Sequence, residues 1–448
     1  MPHSAHSAAE PNTGGLPQPH SPERGISRQV VAGVVTALVG FTSSFAVVLA
    51  GLKAVGATDA QAASGLLALT ITFSLGVLLL SWRSKLPVTL AWSTPGAALL
   101  ASTGLVDGGW PAAVGAFLAV GGMIMLTGLV PAFGTLIGKI PVALAQAMLA
   151  GVLLPLCLAP FKSLGSTPLL VAPVIISWLL MMKLASRWAV PVALAVALAV
   201  IGIYLAATGA DLGGAPLLPS LQWTTPAFSW QAMAGIALPL FIVTMASQNI
   251  PGVAVLKSFG FTTPWKSSMV VTGIGTAVGA PFGGHAINLA ALSAALAAGE
   301  EAGHDPKRRW IAAFSSGWAY LVLAATSAAL VSLVAAAPPG LVEAVAGLAL
   351  LGTLASAVAA ALQNPHERIG AVVTFLMAAS GLSFAGIGAA FWALAAGLLV
   401  RWLLASRHKE AAHTAGPSIG SAAEAESDAA AGSGTAGSTT PVPGGKRA

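Results

Sequence analysis

Three short stretches of this chain place hydrogen-bonding side chains inside otherwise apolar sequence. AWSTPGAALL (91–100) carries Trp92, Ser93 and Thr94; SQNIPG (247–252) carries Gln248 and Asn249; GAPFGGHAINLAAL (279–292) carries Phe282, Gly284, His285 and Asn288. Hydroxyls, amides and an imidazole can donate to a small anion such as a carboxylate, and the rings of Trp92 and Phe282 could rest against an aromatic body. The arrangements that covalent catalysis needs are missing. The sequence has no phosphate-binding loop, no metal-ligand cluster and no nucleophile paired with a base and an orienting acid, so neither an enzyme nor a metal or cofactor is expected.

Each of these residues also has a plainer use. Ser, Asn and Gln commonly hydrogen-bond across helix interfaces in membranes. Ser93 and Thr94 can cap a helix, Trp92 can pack in a core, and a lone histidine is more often a structural donor than a proton carrier.

The elements that position them must lie in a bilayer. Of 448 residues 56% are apolar and only 8% charged, against about 25% charged in soluble domains. Apolar runs of roughly 20 residues, each able to cross about 30 Å of hydrocarbon, fill nearly the whole length. Fourteen segments are expected, beginning near residues 29, 60, 86, 110, 142, 167, 188, 231, 265, 282, 308, 340, 367 and 384. The polar ends, 1–24 and 406–448, read as disordered tails, and the leader is too polar for a cleaved signal peptide. Cys157 is the only cysteine, which excludes an internal disulfide. The pI near 9.7 does not point to nucleic acid, because the basic residues are scattered at the ends of apolar runs.

Those basic residues report topology. With a cytoplasmic N-terminus, 18 of the 20 Lys and Arg residues fall inside and only Lys53 and Lys162 outside, as the positive-inside rule requires. The expected location is a cytoplasmic (inner) membrane, with both termini cytoplasmic.

The halves also resemble each other. LKAVGAT (52–58) closes segment 1 and LKSFGFT (256–262) closes segment 8; a weaker match sets IPVALAQAMLAG (140–151) against APPGLVEAVAGL (337–348), with Gln146 opposite Glu343. Seven spans per half turn the second copy upside down, the inverted-repeat plan of many secondary transporters. The repeats are expected at 25–209 and 231–405, joined by an extracytoplasmic linker at 210–230.

Segments 3 and 10 are short and interrupted by Gly and Pro, the usual marker of a midplane site. In segment 3, Thr94 reads as an N-cap and Pro95 as the first helical residue, with the helix ending near Gly104. In segment 10 the helix is expected to start near His285 and run toward Gly299, putting His285 and Asn288 on one helix face. The two half-helix N-termini would then meet at the bilayer centre and favour an anion. Pro251 should open segment 8 beside Gln248 and Asn249. Glu343, read as the only acidic residue well inside a span, joins His285 as a proton-coupling candidate.

AWSTPGAALL, ASQNIPGVAVLKSFGF (246–261) and GAPFGGHAINLAAL resemble the signatures of the bacterial benzoate/proton symporter family, the BenE family, across roughly residues 25–405. Phe261 departs from the tyrosine more usual there. The resemblance implies an all-α polytopic fold of seven plus seven inverted segments, distantly like uracil and xanthine permeases and sulfate-type anion transporters. It also implies a substrate-holding core (29–137 and 231–336), a gate (140–209 and 340–405) and a possible homodimer. The partners would be benzoate or a similar aromatic carboxylate, protons and the lipid bilayer, with import by alternating access. A carrier of another small anion or of a nucleobase, or a passive anion channel, stands as the alternative.

Overall fold

The protein is described from a computed structural model, over residues 26–137, 141–209 and 218–414. The tail at 1–24, Lys139, most of the linker's first half and residues 415–448 lie outside the described residues.

Helices α1 (Ser27–Thr42) and α2 (Phe45–Ala54) form one apolar rod, broken where the Ser43 and Ser44 hydroxyls donate back to the Gly40 carbonyl. Helix α3 (Asp59–Ser84) starts at a reciprocal Thr58/Gln61 capping box and stops at left-handed Lys85. Segment 3 follows as strand β1 (Leu90–Trp92) and half-helix α4 (Thr94–Thr103). Then come α5 (Gly109–Leu129), α6 (Pro131–Ile137), α7 (Val142–Ser166), α8 (Pro168–Leu184) and α9 (Ala189–Thr208).

The second half opens with a rod spanning Trp230–Ser258, made of α10 (Trp230–Ala232), α11 (Leu238–Thr244) and α12 (Ile250–Ser258) with π turns at Met233–Ala237 and Met245–Asn249. Helix α13 (Trp265–Gly279) leads into strand β2 (Ile287–Leu289) and half-helix α14 (Leu292–Ala298). The remaining helices are α15 (Trp310–Ala324), α16 (Ser327–Ala335), α17 (Leu341–Ala361), α18 (Arg368–Ala379) and α19 (Ala389–Thr414).

Among the described residues seven helices are long and apolar enough to cross a membrane, and the pair ending in α15 and α16, bent by 51°, makes an eighth. The rest of the apolar chain is in shorter helices and in the two strand-and-half-helix segments.

The halves are inverted copies. Helix α3 packs on α15 as α13 packs on α5; α7 packs on α18 as α17 packs on α8; α8 pairs with α9 as α18 pairs with α19. Two contacts, α7 with α17 and β1 with β2, join equivalent elements across the pseudo-two-fold axis. The repeated LK motif ends its helix identically in both copies. Gly56 N–H donates to Lys53 and Ala57 N–H to Leu52; Gly260 N–H donates to Lys257 and Phe261 N–H to Leu256. This is a Schellman stop, with a positive-φ glycine in each copy (104° and 83°).

Two sequence expectations change. Helix α19 continues to Thr414, beyond the expected tail boundary at 406, because Ala, Lys, Glu and Arg in this stretch are good helix formers. Glu343 lies in the first turn of α17 and is exposed. It sits at the positive end of a helix, where a carboxylate is favoured, instead of deep in a span.

Candidate functional site

The broken segments solve a backbone problem together. Hydrocarbon offers no hydrogen bonds, so extended chain at mid-depth must be satisfied by protein. Strands β1 and β2 pair antiparallel, with Leu90 opposite Leu289, Ala91 opposite Asn288 and Trp92 opposite Ile287. The ribbon continues at both ends: Ser93 N–H donates to the Ala286 carbonyl at 2.8 Å and Ala290 N–H to the Thr89 carbonyl at 3.0 Å. The outer edge of β2 is bracketed by side chains. Thr276 Oγ1 accepts from Ile287 N–H at 3.1 Å, and Asn249 Oδ1 accepts from Leu289 N–H at 2.9 Å.

Strand alternation sorts the residues onto two faces. Ala91 and Asn288 share one; Leu90, Trp92, Ile287 and Leu289 share the other. Trp92 is buried: its Nε1–H donates to Ser44 Oγ at 2.7 Å, and its ring packs 5.2 Å from Phe41 and 5.6 Å from Phe73. The indole is therefore part of an aromatic core, and the expected stacking surface for a substrate is turned away.

Ser93, not Thr94, caps α4, its Oγ accepting from Gly96 N–H at 3.1 Å and sharing a 2.8 Å bond with Thr244 Oγ1. Thr94 opens the helix with Pro95 behind it and remains half-buried, and Gly104 terminates the helix as expected. With its amide oriented to satisfy both neighbours, buried Asn288 accepts from Ser93 N–H at 3.1 Å and donates to the Leu289 carbonyl at 2.8 Å.

The second half-helix starts later than the sequence suggests. A 3-10 turn at Ala280–Phe282, Gly283 at φ 92° and strand β2 come first, and α14 spans only Leu292–Ala298. His285 and Asn288 thus lie in extended chain, not on a helix face, because pairing with β1 satisfies backbone that helix formation would otherwise have to satisfy. The turn depends on close approach: a Cβ on Gly65 would meet the Gly283 carbonyl at 2.6 Å. Gly284 N–H closes it by donating to the Gly279 carbonyl at 2.9 Å. His285 is fully buried, 6.3 Å from the Phe117 ring, and neither ring nitrogen has a well-formed hydrogen bond among the described residues.

Phe282 points elsewhere. It is half-buried and meets Trp223 edge-on at 5.4 Å, while its carbonyl accepts from Ser64 Oγ at 2.8 Å. The linker between the two halves is stitched to the same turn, Thr224 N–H donating to the Pro281 carbonyl at 2.7 Å.

Segment 8 opens beside Pro251 as a π turn, Met245–Asn249, which absorbs the proline and leaves Pro251 at the start of α12. The π turn gives its two amide residues different surroundings. Asn249 is buried as the bracket of β2, whereas Gln248 is half-buried. One further residue reaches this turn: Gln146 of α7, whose Nε2 donates to the Ala246 carbonyl at 3.3 Å. Only its place in the internal repeat singled it out in sequence.

The structure brings together Ser93, Thr94, Asn249, Asn288 and Thr244 around the crossing of the broken segments, with Gln248 beside Asn249 and His285 at the foot of β2. It leaves out Phe282, Trp92 and Glu343. The N–H groups of Ser93, Gly96 and Ala97 at the start of α4 are already paired and Pro95 has none, so the donors left for a small anion are the half-buried Thr94 hydroxyl and Gln248 amide.

Residues 26–403 match the protein family described as "Benzoate membrane transport protein" (BenE). The chain is 38% identical to the inner membrane protein YdcO of Escherichia coli (strain K12), across 85% of this chain and 97% of that one. It is 30% identical to the benzoate membrane transport protein of Acinetobacter baylyi, across 84% of this chain and 94% of that one. Among solved structures, its fold is similar to the transmembrane domain of a cyanobacterium bicarbonate transporter, BicA, with a TM-score of 0.52 at 16% identity, covering 86% of this chain and 98% of that one.

Proposed function

We propose, for a chain that belongs to the BenE family of benzoate membrane transport proteins, that it imports benzoate or a similar aromatic carboxylate together with a proton by alternating access. The observation that carries this reading is the antiparallel ribbon between two broken segments, with a helix N-terminus and neutral donors at its crossing. Benzoate would place its carboxylate at the positive end of α4, on the Thr94 hydroxyl and the Gln248 amide. Its ring would lie along the apolar wall beside Ala91. His285, buried beside this point with no well-formed hydrogen bond among the described residues, is the better proton carrier of the two candidates, since Glu343 is exposed at a helix start.

Counting each short or broken segment as one pass gives fourteen. In this reading the ribbon belongs to a core of segments 1–4 and 8–11, which moves against a gate of segments 5–7 and 12–14. Such a carrier would sit in the cytoplasmic membrane with both termini inside, and its gate surfaces could pair two copies.

Proteoliposomes with an imposed pH gradient test the proposal. Labelled benzoate should accumulate and a protonophore should abolish accumulation; failure of unlabelled benzoate to compete would reject the substrate. A second reading, a smaller inorganic anion, is favoured by one observation: the Trp92 ring is packed away from the cleft. Competition by bicarbonate but not by benzoate would establish it.

A further inference from the structure

Away from the ribbon, a cavity of about 510 Å³ opens between α1, the turn before α9 and the loop after α14. Val31, Leu296 and Trp188 give it an apolar wall, and Arg28, Arg187 and Glu301 give it a charged rim. Arg187 forms an ion pair with Glu301, and the Arg28 guanidinium donates to the neighbouring Glu300 carbonyl at 3.1 Å. Arg187 lies between α8 and α9, which pack with the α7 and α17 group, whereas Glu301 comes just after the half-helix of the ribbon group. The ion pair therefore ties the two groups together.

Both partners are about half exposed, 46% and 57%. Water already competes for them, so the tie is weak and a carboxylate from solution can exchange for Glu301 at little desolvation cost. A guanidinium above an apolar wall with an indole is also the composition that recognises an aromatic carboxylate, charge on the fork and ring on the wall. Leu296, which lines the cavity, belongs to α14, the half-helix that follows β2.

We propose that this cavity is a second, transit site for an aromatic carboxylate, in which the substrate's carboxylate takes the place of Glu301 on Arg187 and releases the tie between the two helix groups. The proposal rests on the benzoate reading of the central site.

Counterflow of benzoate across proteoliposomes, with substrate supplied to each face in turn, tests it. At the face bearing Arg187, Arg187→Gln should raise the half-saturating benzoate concentration about tenfold, the loss of one charge-assisted hydrogen bond. Glu301→Gln removes the internal competitor and should lower it. The opposite face should be unchanged in both. Shifts of the same sign in the two variants would mean a structural tie alone and overturn the proposal. If the wild type carries no benzoate, equilibrium dialysis decides. Binding that Arg187→Gln weakens keeps this site and discards the transport reading, whereas binding that is absent or unaffected discards this site.

Discussion

Gln248 and Asn249 are adjacent in sequence and opposite in role. Asn249 supplies the acceptor for Leu289 N–H, so Asn249→Ala leaves a buried donor unpaired at a cost of about 1–3 kcal/mol and should lower the melting temperature in detergent. Gln248→Ala removes a half-buried amide with no such duty. It should leave the melting temperature unchanged and raise the half-saturating benzoate concentration roughly tenfold, as for a hydrogen bond to a charged group. Trp92→Phe tests the same distinction from the other side. It loses the bond to Ser44, worth about 1 kcal/mol, and keeps the ring packing, so uptake should keep its half-saturation; a rise would return Trp92 to the substrate. Sequence could name these polar and aromatic residues as unusual for a membrane. It could not separate donor from bracket, because a one-residue step reverses the face along a strand and turns it through a large angle along a π turn.

At the level of elements, α4 was legible and β2 with α14 was not. Ser-Thr-Pro-Gly is a local start signal, and local chemistry decides where such a helix begins. Pro281 and two glycines also announced a break, but the conformation of the chain beyond that break depends on a partner strand far away in sequence. The turn that feeds β2 needs bare backbone opposite it. Gly65→Ala would push a methyl group toward the Gly283 carbonyl, shifting His285; uptake should fall at least tenfold, with the helical circular dichroism retained. Glu343 is the converse case, a carboxylate that reads as intramembrane yet lies exposed in the first turn of a helix. Glu343→Gln should cost at most about 1 kcal/mol and leave the pH profile of uptake unaltered, measured from pH 5 to 8.

At the scale of the whole molecule, the proposed substrate position makes a claim that labelling can check. Ala91 is half-buried on the ribbon face shared with Asn288, and the sole cysteine, Cys157, is buried. The wild type should therefore resist an impermeant thiol reagent, whereas Ala91→Cys should react and be protected by benzoate. Labelling that benzoate leaves unchanged would place the substrate elsewhere. By itself the sequence determined that the chain lives in a bilayer, that its halves repeat in inverted order and that segments 3 and 10 are broken. Those properties arise from constraints acting along the chain: the thickness of hydrocarbon, the absence of hydrogen-bonding solvent in it, and the backbone limits of Pro and Gly. Only the tertiary structure decided that Trp92 packs inward, that Asn249 holds a strand, that Gln146 reaches the π turn and that Glu343 lies exposed. Each of these depends on which distant backbone pairs in which register, and on how the helices pack against it.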